Sequence, residues 1–531
     1  MYKRRAARVS AWVSERPLVV LGLALLLSGL FSLYLGTGND WDLRNYHVYG
    51  PFALLGGRLD LDLNAVGVQT TFNPLLDVPY YLLALHWLPH APGLVAFLAG
   101  LPYGVLAWLV LSLARLMPNG ATPWQAALAT AIGVTGTTVV SEVGQSFGDI
   151  PVAVLVLGGL WFPLRCLSGG AAAATGARWA SACAAAGVLI GAAAGLKLTA
   201  SVFAPGAALG LLLVGGTARW KIAGAALFCL AWAVGAAATD GWWGAHLWRD
   251  FGNPLFPVLN DLFGSAWGAA STGRDQRFPP SGALQALFYP FWWLSNRPFI
   301  VSENRIRDAH FALAYLAVVF LAVCALWRRV RNSEPPDRRI LLVLVFFAIG
   351  FLLWEAMFSI IRYAVPLEAL TGIVIVAAMR HLLPARRLVP AAALVLVALL
   401  ATSSWPNWGR VRQYEHAVFD IEATRQPDGA VVVVASKPVG FVLPFLGGRD
   451  VAFLGAVDLA VGTRMQATIR QRLDQAPSVV ALIARSDPGT AVMLAGVGLE
   501  ADIAACVPVR TGRRPDDIML CPTRPLHQDK P

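Results

Sequence analysis

The sequence predicts a polytopic α-helical membrane protein with about eleven transmembrane helices and a small external C-terminal α/β domain. Three observations predict it. Apolar residues fill 57% of the 531 positions and charged ones 14%, with a mean hydropathy of +0.59, a balance foreign to soluble globular classes. The apolar residues gather in uncharged runs at about 17–36, 93–114, 122–141, 150–164, 180–196, 198–215, 222–238, 309–327, 340–354, 364–379 and 388–403. After Trp405 the composition turns polar, and short β-branched stretches replace the long runs. A membrane domain over 1–404 and a C-terminal domain over 405–531 follow from this.

The first run, Pro17 to Gly36, is preceded by Lys3, Arg4, Arg5 and Arg8. At about 20 residues it is long enough to span, and no small-x-small cleavage site follows it, so it reads as a retained signal anchor. The segment 75–88 (LLDVPYYLLALHWL) is too short to span and reads as an amphipathic surface helix. With the N-terminus in the cytoplasm and 75–88 left non-spanning, Arg115, Arg165, Arg178, Arg219, Lys221, Arg328, Arg329, Arg338, Arg339, Arg380, Arg386 and Arg387 all fall in cytoplasmic loops. The opposite side receives a first external loop over 37–92 and a second over 239–308. It also receives most of the acids, including Asp40, Asp42, Asp60, Asp62, Asp77, Glu142, Asp149, Asp308 and Glu355. The net charge of +11 therefore reports topology. No basic stripe follows a phosphate backbone, which argues against nucleic acid as a partner.

In the C-terminal domain GAVVVVAS (429–436), VVALIAR and DIMLCP read as strands separated by helical stretches. GAVVVVASKPVG is a weak match to a strand and phosphate loop, since it lacks G-x-x-x-x-G-K-[ST]. Cys166, Cys183, Cys229 and Cys324 lie in or beside apolar runs and read as small buried residues. Cys506 and Cys521 could pair if their region faces an oxidising compartment.

The chemistry concentrates between Asn39 and Asp77. Five Asp, two Arg, a His and several amides sit there between hydrophobic segments. Long loops between elements are usually functional or disordered, and this one is too aromatic for disorder. Asp40 and Asp42, spaced i, i+2, would point to opposite faces of an extended chain, so only one need face a cavity. A carboxylate at an apolar rim can take a raised pKa and serve as general base; the plainer alternative is two solvated helix-capping acids. SEVGQSFGDIP carries Glu142 and Asp149, the latter placed to cap the helix that Pro151 opens. Lys197 in AGLKLTA and Arg362 in FSIIRYAVPLE interrupt apolar sequence. A cation there is costly and suits phosphate recognition, with snorkelling to headgroups as the alternative. His47 and His86 are too isolated for a zinc site, and no H-E-x-x-H, C-x-x-C or G-x-S-x-G is present. The five Asp could bind a divalent cation, although their spacing matches no recognised metal motif.

These features together resemble the GT-C superfamily of integral-membrane glycosyltransferases over roughly residues 10–403. The resemblance lies in a signal-anchor span followed by NDWDLRNYH, then NPLLDVPYYLLALHWL, QSFGDIP and GLKLTA. DLRNYHVYGPFALLGGR, FGNPLFPVLN and RYAVPLE resemble blocks of uncharacterised bacterial members. It implies a periplasmic active site in the bacterial inner membrane, and a polyprenyl-phosphate-linked sugar as donor substrate. It further implies inverting transfer to an acceptor hydroxyl, with Asp42 as catalytic base and Asp40 beside it in the same role. Arg362 or Lys197 would hold the donor phosphate, and Arg44, Asn45, His47, Glu142 and Asp149 would orient the acceptor. The C-terminal domain departs from the carbohydrate-binding domains of better-known members. The acceptor thus stays open between glycan, glycolipid and protein. Two other classes compete: a lipid-linked-glycan transporter or flippase, and an O-antigen-ligase-like enzyme with a diphosphate donor. A transporter would place charges near the midplane and show repeats, whereas here the charges sit at span ends.

Overall fold

A computed structural model describes residues 16–118, 121–270, 275–331, 336–412, 414–512 and 517–526. The basic flank Lys3, Arg4, Arg5 and Arg8 lies outside the described residues. Nine helices among those described are long and apolar enough to cross a membrane: α1 (Pro17–Leu35), α2 (Pro92–Leu116), α3 (Asp149–Leu167), α4 (Gly176–Leu196), α5 (Ala218–Phe251), α6 (His310–Val330), α7 (Arg338–Met357), α8 (Ile361–Leu382) and α9 (Ala385–Thr402).

The other two predicted runs are broken. The run 122–141 forms Pro123–Val134 and a separate Thr137–Ser141 turn of helix, while 198–215 opens with a 3-10 segment, Leu198–Val202, before Phe203–Val214. The run expected to end at 238 continues as helix to Phe251. Hydropathy marks where lipid-compatible sequence stops, and helical hydrogen bonding carries on past it. The segment 75–88 is helical as far as Trp87 apart from a turn at Asp77, passing from 3-10 (Pro74–Leu76) to α (Val78–Tyr81) to π geometry (Leu82–Trp87).

The described chain forms two compact units, each discontinuous in sequence, where the sequence suggested one boundary near 405. Among the described residues the first lies within 16–32, 97–241 and 275–408, and the second within 33–96, 242–270 and 409–526. In the first unit, α8 is the most enclosed helix, 83% buried. It crosses Pro123–Val134 where Gly372 meets Ala129 and Gly133 meets Ala369; a Cβ on either glycine would collide with the facing carbonyl. Such contact suits backbones packed without a hydrophobic drive between helices.

The second unit is built on a mixed sheet. Its strands are β1 (Val431–Val434), β2 (Ala452–Gly455), β3 (Val479–Ala484), β4 (Leu499–Ala501), β5 (Val507–Pro508) and β6 (Ile518–Pro525). The order is β2-β1-β3-β6-β4, with β5 also on β6. β1 is parallel to β2 and β3, while β6 runs antiparallel to its neighbours. All four valines of β1 are buried, which requires cover on both faces. The helix Arg464–Gln475 covers one face, packing Met465, Ile469 and Leu473 with Val431 and Val433. The first loop covers the other, bringing Leu43, Val48, Tyr49 and Tyr81 against Val432, Val434 and Phe453. Cys506 and Cys521 are joined by a disulfide. Of the free cysteines Cys183 is buried, but Cys229 is exposed, contrary to expectation; a small apolar side chain on a lipid-facing helix has no need of protein cover.

Candidate functional site

Two clusters hold the residues singled out by the sequence, one in each unit. In the first unit the SEVGQSFGDIP stretch folds as a turn between the Thr137–Ser141 helix and α3. Gly148 takes a left-handed φ of 78° and stands at the N-cap position, so Asp149 is the first helical residue rather than the cap. Its carboxylate is directed sideways instead. Lys197, where the backbone breaks from α4 in an extended conformation, donates through Nζ to Asp149 Oδ1 at 2.5 Å and to the Phe147 carbonyl at 3.0 Å. The Lys197 ammonium also lies 5.0 Å from the Tyr363 ring centroid. Arg362, in the 3-10 turn that begins α8, places its guanidinium 4.2 Å from the Phe147 centroid and 5.4 Å from that of Trp408. The structure thus brings Lys197, Arg362 and Asp149 together at one turn, Phe147 to Asp149.

Glu142 belongs to the same cluster. It is 2% exposed, and neither carboxylate oxygen has a hydrogen-bond partner among the described residues. Burial pushes its pKa well above the usual carboxylate range, Asp149 pushes it further, and Lys197 and Arg362 only partly oppose this. The polar atoms of the Gln145 and Ser146 side chains and Asp149 Oδ2 are buried without partners as well. Groups of this kind cost on the order of 1–3 kcal/mol each unless something satisfies them, so their concentration in one turn points to a ligand site.

Two acids outside the predicted set hold this turn in place. Glu368 accepts from the Thr138 and Val139 amides (3.2 and 2.7 Å), and Asp308 accepts from the Thr137 amide at 3.1 Å. The open N-terminus of the Thr137–Ser141 helix is thereby closed by carboxylates. Gly136 is required there, because a Cβ would strike the Glu368 carboxylate. Glu368 lies in the quoted RYAVPLE; a carboxylate within an apolar span was the signal for it.

In the second unit the five Asp of the first loop take separate settings. Asp40 is buried and accepts the Leu43 amide at 2.9 Å, as a helix cap does. Asp42 is half-buried, with helical dihedrals (φ −67°, ψ −44°), at the start of a π-helical turn over Leu43–His47. The stretch is therefore helical, not extended. Residues two apart on a helix still diverge by about 200°, so the two carboxylates do not share a face. π-turns are frequent at functional sites. Asp77 pairs with His47 at 2.7 Å between Nδ1 and Oδ1. Burial alone would lower the His47 pKa, but Asp77, reinforced by Asp42 and Asp40, raises it above its ordinary value. Asp62 is bound by Arg58, and Asp60 by Arg249 at 2.9 Å.

A divalent cation therefore does not find these five acids gathered in one place. Asp60, His246 and Asp250 do bring ligand atoms within 4.8 Å of one another, but Arg249 pairs with both carboxylates and already supplies the counter-charge.

Lys437, from the weak phosphate-loop match, was not expected near the first loop. Its ammonium pairs with the Asp458 carboxylate and donates to Gln69 Oε1 at 2.9 Å, an oxygen that also accepts from Asn45 Nδ2 at 3.4 Å. It lies 5.8 Å from the Trp41 ring, between Asp40 and Asp42 in sequence. Burial lowers its pKa, with Asp458 opposing. Phe441 lies 5.0 Å beneath the Arg44 guanidinium. Of the orienting residues expected from sequence, Arg44, Asn45 and His47 thus sit on one π-turn, and Glu142 and Asp149 on one turn of the other unit.

Neither a protein-family model nor a curated protein sequence matches the chain. Solved structures do resemble it. One is the crystal structure of ArnT from Cupriavidus metallidurans bound to undecaprenyl phosphate, with a TM-score of 0.55 at 13% identity, covering 96% of this chain and 98% of that one. Another is the archaeal oligosaccharyltransferase AglB from Archaeoglobus fulgidus in complex with an inhibitory peptide and a dolichol-phosphate, with a TM-score of 0.48 at 14% identity, covering 91% and 72%. With a likeness to ArnT that runs nearly the whole length of both chains, this helical chain has an ArnT-like fold.

Proposed function

We propose that this protein is a membrane glycosyltransferase that moves a sugar from a polyprenyl-phosphate donor to an acceptor hydroxyl on the periplasmic face of the bacterial inner membrane. The observation that carries the reading is the convergence of Lys197 and Arg362 on the Phe147–Asp149 turn, beside buried polar groups that lack partners. Two cations against aromatic rings suit a lipid-linked phosphate, and ArnT was solved with undecaprenyl phosphate.

In this mechanism the acceptor O–H gives its proton to the Asp42 carboxylate, and the oxygen forms a bond to the anomeric carbon with inversion. The bond from that carbon to the phosphate oxygen breaks, and polyprenyl phosphate departs with the electron pair. Lys197 and Arg362 balance the negative charge gained by the leaving group. Arg44, Asn45 and His47 orient the acceptor, and Asp40 holds the turn that presents Asp42. Burial and Asp149 favour the protonated form of Glu142, which can donate a hydrogen bond to a sugar or phosphate oxygen, and Asp149 fixes the Lys197 ammonium.

Proteoliposomes supplied with radiolabelled polyprenyl-phosphate sugars and crude envelope acceptors test the reading. Wild type should move label to an acceptor, and Asp42→Asn should lose about 100- to 10,000-fold, the usual worth of a general base. Arg362→Lys, which keeps the charge but loses the planar fork, should raise the donor KM. Full transfer by Asp42→Asn would end the assignment of the base. Absence of transfer or donor hydrolysis with every donor, from folded protein, would end the transferase reading.

A further inference from the structure

We propose that the first unit carries a second ligand site, a groove for an anionic phospholipid at the far end of α8 from Arg362. The groove has a volume of about 940 Å³, toward the upper end of small-ligand sites. Leu344, Ile373 and Leu388 line it as apolar walls, and Arg328 and Arg380 bring positive charge to it. Arg362 and Arg380 are separated along α8 by roughly 27 Å at 1.5 Å per residue. The groove is therefore distinct from the Phe147–Lys197–Arg362 cluster and independent of the transferase reading.

Charge decides the occupant. Asp337 is the one acid among the described lining residues, and Arg339 engages it at 2.7 Å. Arg339 also donates to the Leu116 carbonyl at 2.9 Å, so this ion pair is part of the wall. The other charged side chains among the described lining residues are the guanidinium groups of Arg328 and Arg380, beside an apolar floor. That arrangement complements a phosphodiester headgroup with its acyl chains, and basic pockets between transmembrane helices are sites for anionic lipids. The neighbouring sequence has the character of a membrane interface: Trp327 is exposed on α6 and Arg331 lies 4.4 Å from its ring centroid. The charge pattern of the chain also assigns this end to the cytoplasmic side, the leaflet richer in anionic lipid.

Cys324 lines the groove and supplies the probe, while Cys229 is exposed and does not line it. The full chain in neutral detergent is treated with N-ethylmaleimide, and the modification of each cysteine is followed by peptide mass spectrometry. Phosphatidylglycerol should slow the labelling of Cys324 relative to Cys229, and phosphatidylcholine at the same concentration should not. Arg328→Gln and Arg380→Gln should each raise the phosphatidylglycerol concentration needed for protection about five-fold. Because Arg328 is exposed, its variant has no buried structure to lose, and a thermal melt without lipid checks its fold. Equal protection by phosphatidylcholine would overturn the proposal, as would protection undiminished in both variants. Protection by inorganic phosphate alone would show a free-anion site and would overturn it too.

Discussion

Lys197–Asp149 in the first unit and Arg58–Asp62 in the second are both largely buried ion pairs at short range, yet they are finished differently. Asp62 accepts from Arg58 Nε and Nη2 (2.9 and 2.8 Å), from the Tyr49 hydroxyl at 3.0 Å and from the Phe453 amide at 2.9 Å. Arg58 also donates to the Val451 carbonyl and lies over the Phe52 and Phe453 rings. That pair is closed. Around Lys197–Asp149 one aspartate oxygen, both Glu142 oxygens and the Gln145 and Ser146 side chains stay buried without partners among the described residues. A satisfied network rigidifies a fold, and an unsatisfied one spends stability to remain receptive. On the proposed function, the difference separates a structural carboxylate from a functional one where residue type alone does not.

The largest effect that would test this contrast is on folding. Asp62→Ala strands a buried guanidinium and a strand amide, and should cost about 3–5 kcal/mol, the usual penalty for breaking a buried pair. Thermal melting in detergent would measure it, and a small shift would mean that the pair is not structural. Next comes Glu142. Glu142→Gln keeps the shape and hydrogen-bond donor of the protonated acid that burial favours, so transfer should stay within a few-fold of wild type, while Glu142→Ala should lose about ten-fold or more. Its raised pKa also has a stability consequence with a definite sign. The folded state holds this proton where the unfolded state has lost it, so wild type should lose stability as pH rises above 4.5, the ordinary glutamate value, until the folded pKa is passed. Glu142→Gln should lack that decline, which pH-dependent melts of the two proteins would show. The smallest effect concerns His47. Its folded pKa is raised, so its stabilising contribution is complete below the unfolded value of 6.5 and is lost as pH rises through the folded one. The stability gap between wild type and His47→Gln should therefore be widest below pH 6.5 and narrow above it.

Much of the membrane architecture was legible because lipid imposes long uncharged helices, and their residues announce themselves one run at a time. The breaks at Thr135–Gly136 and Lys197 were harder to read, because apolar composition continues across them. Lys197 was legible as a lone cation in apolar sequence, and Arg362 for the same reason. Phe147 and Trp408 were not, since aromatic residues abound in membrane proteins and only proximity distinguishes these two; Glu368 did carry a signal, a carboxylate within an apolar span. The four valines of β1 predicted a buried strand. Nothing local could say that the residues covering one of its faces lie in the first loop, because that pairing is a long-range contact with no periodic signature.

That pairing also sets a timetable. Asp62 and the Phe453 amide that it accepts are 391 residues apart, which at 5–20 residues per second is about 20–80 s of synthesis. During that interval Leu43, Val48, Tyr49 and Tyr81 are made before the sheet face that will cover them. A nascent chain of this protein must therefore hold an unfinished apolar surface for most of its own translation. Any variant that delays or shortens the C-terminal strands leaves the Asp42 turn exposed to mispairing and proteolysis before it can work.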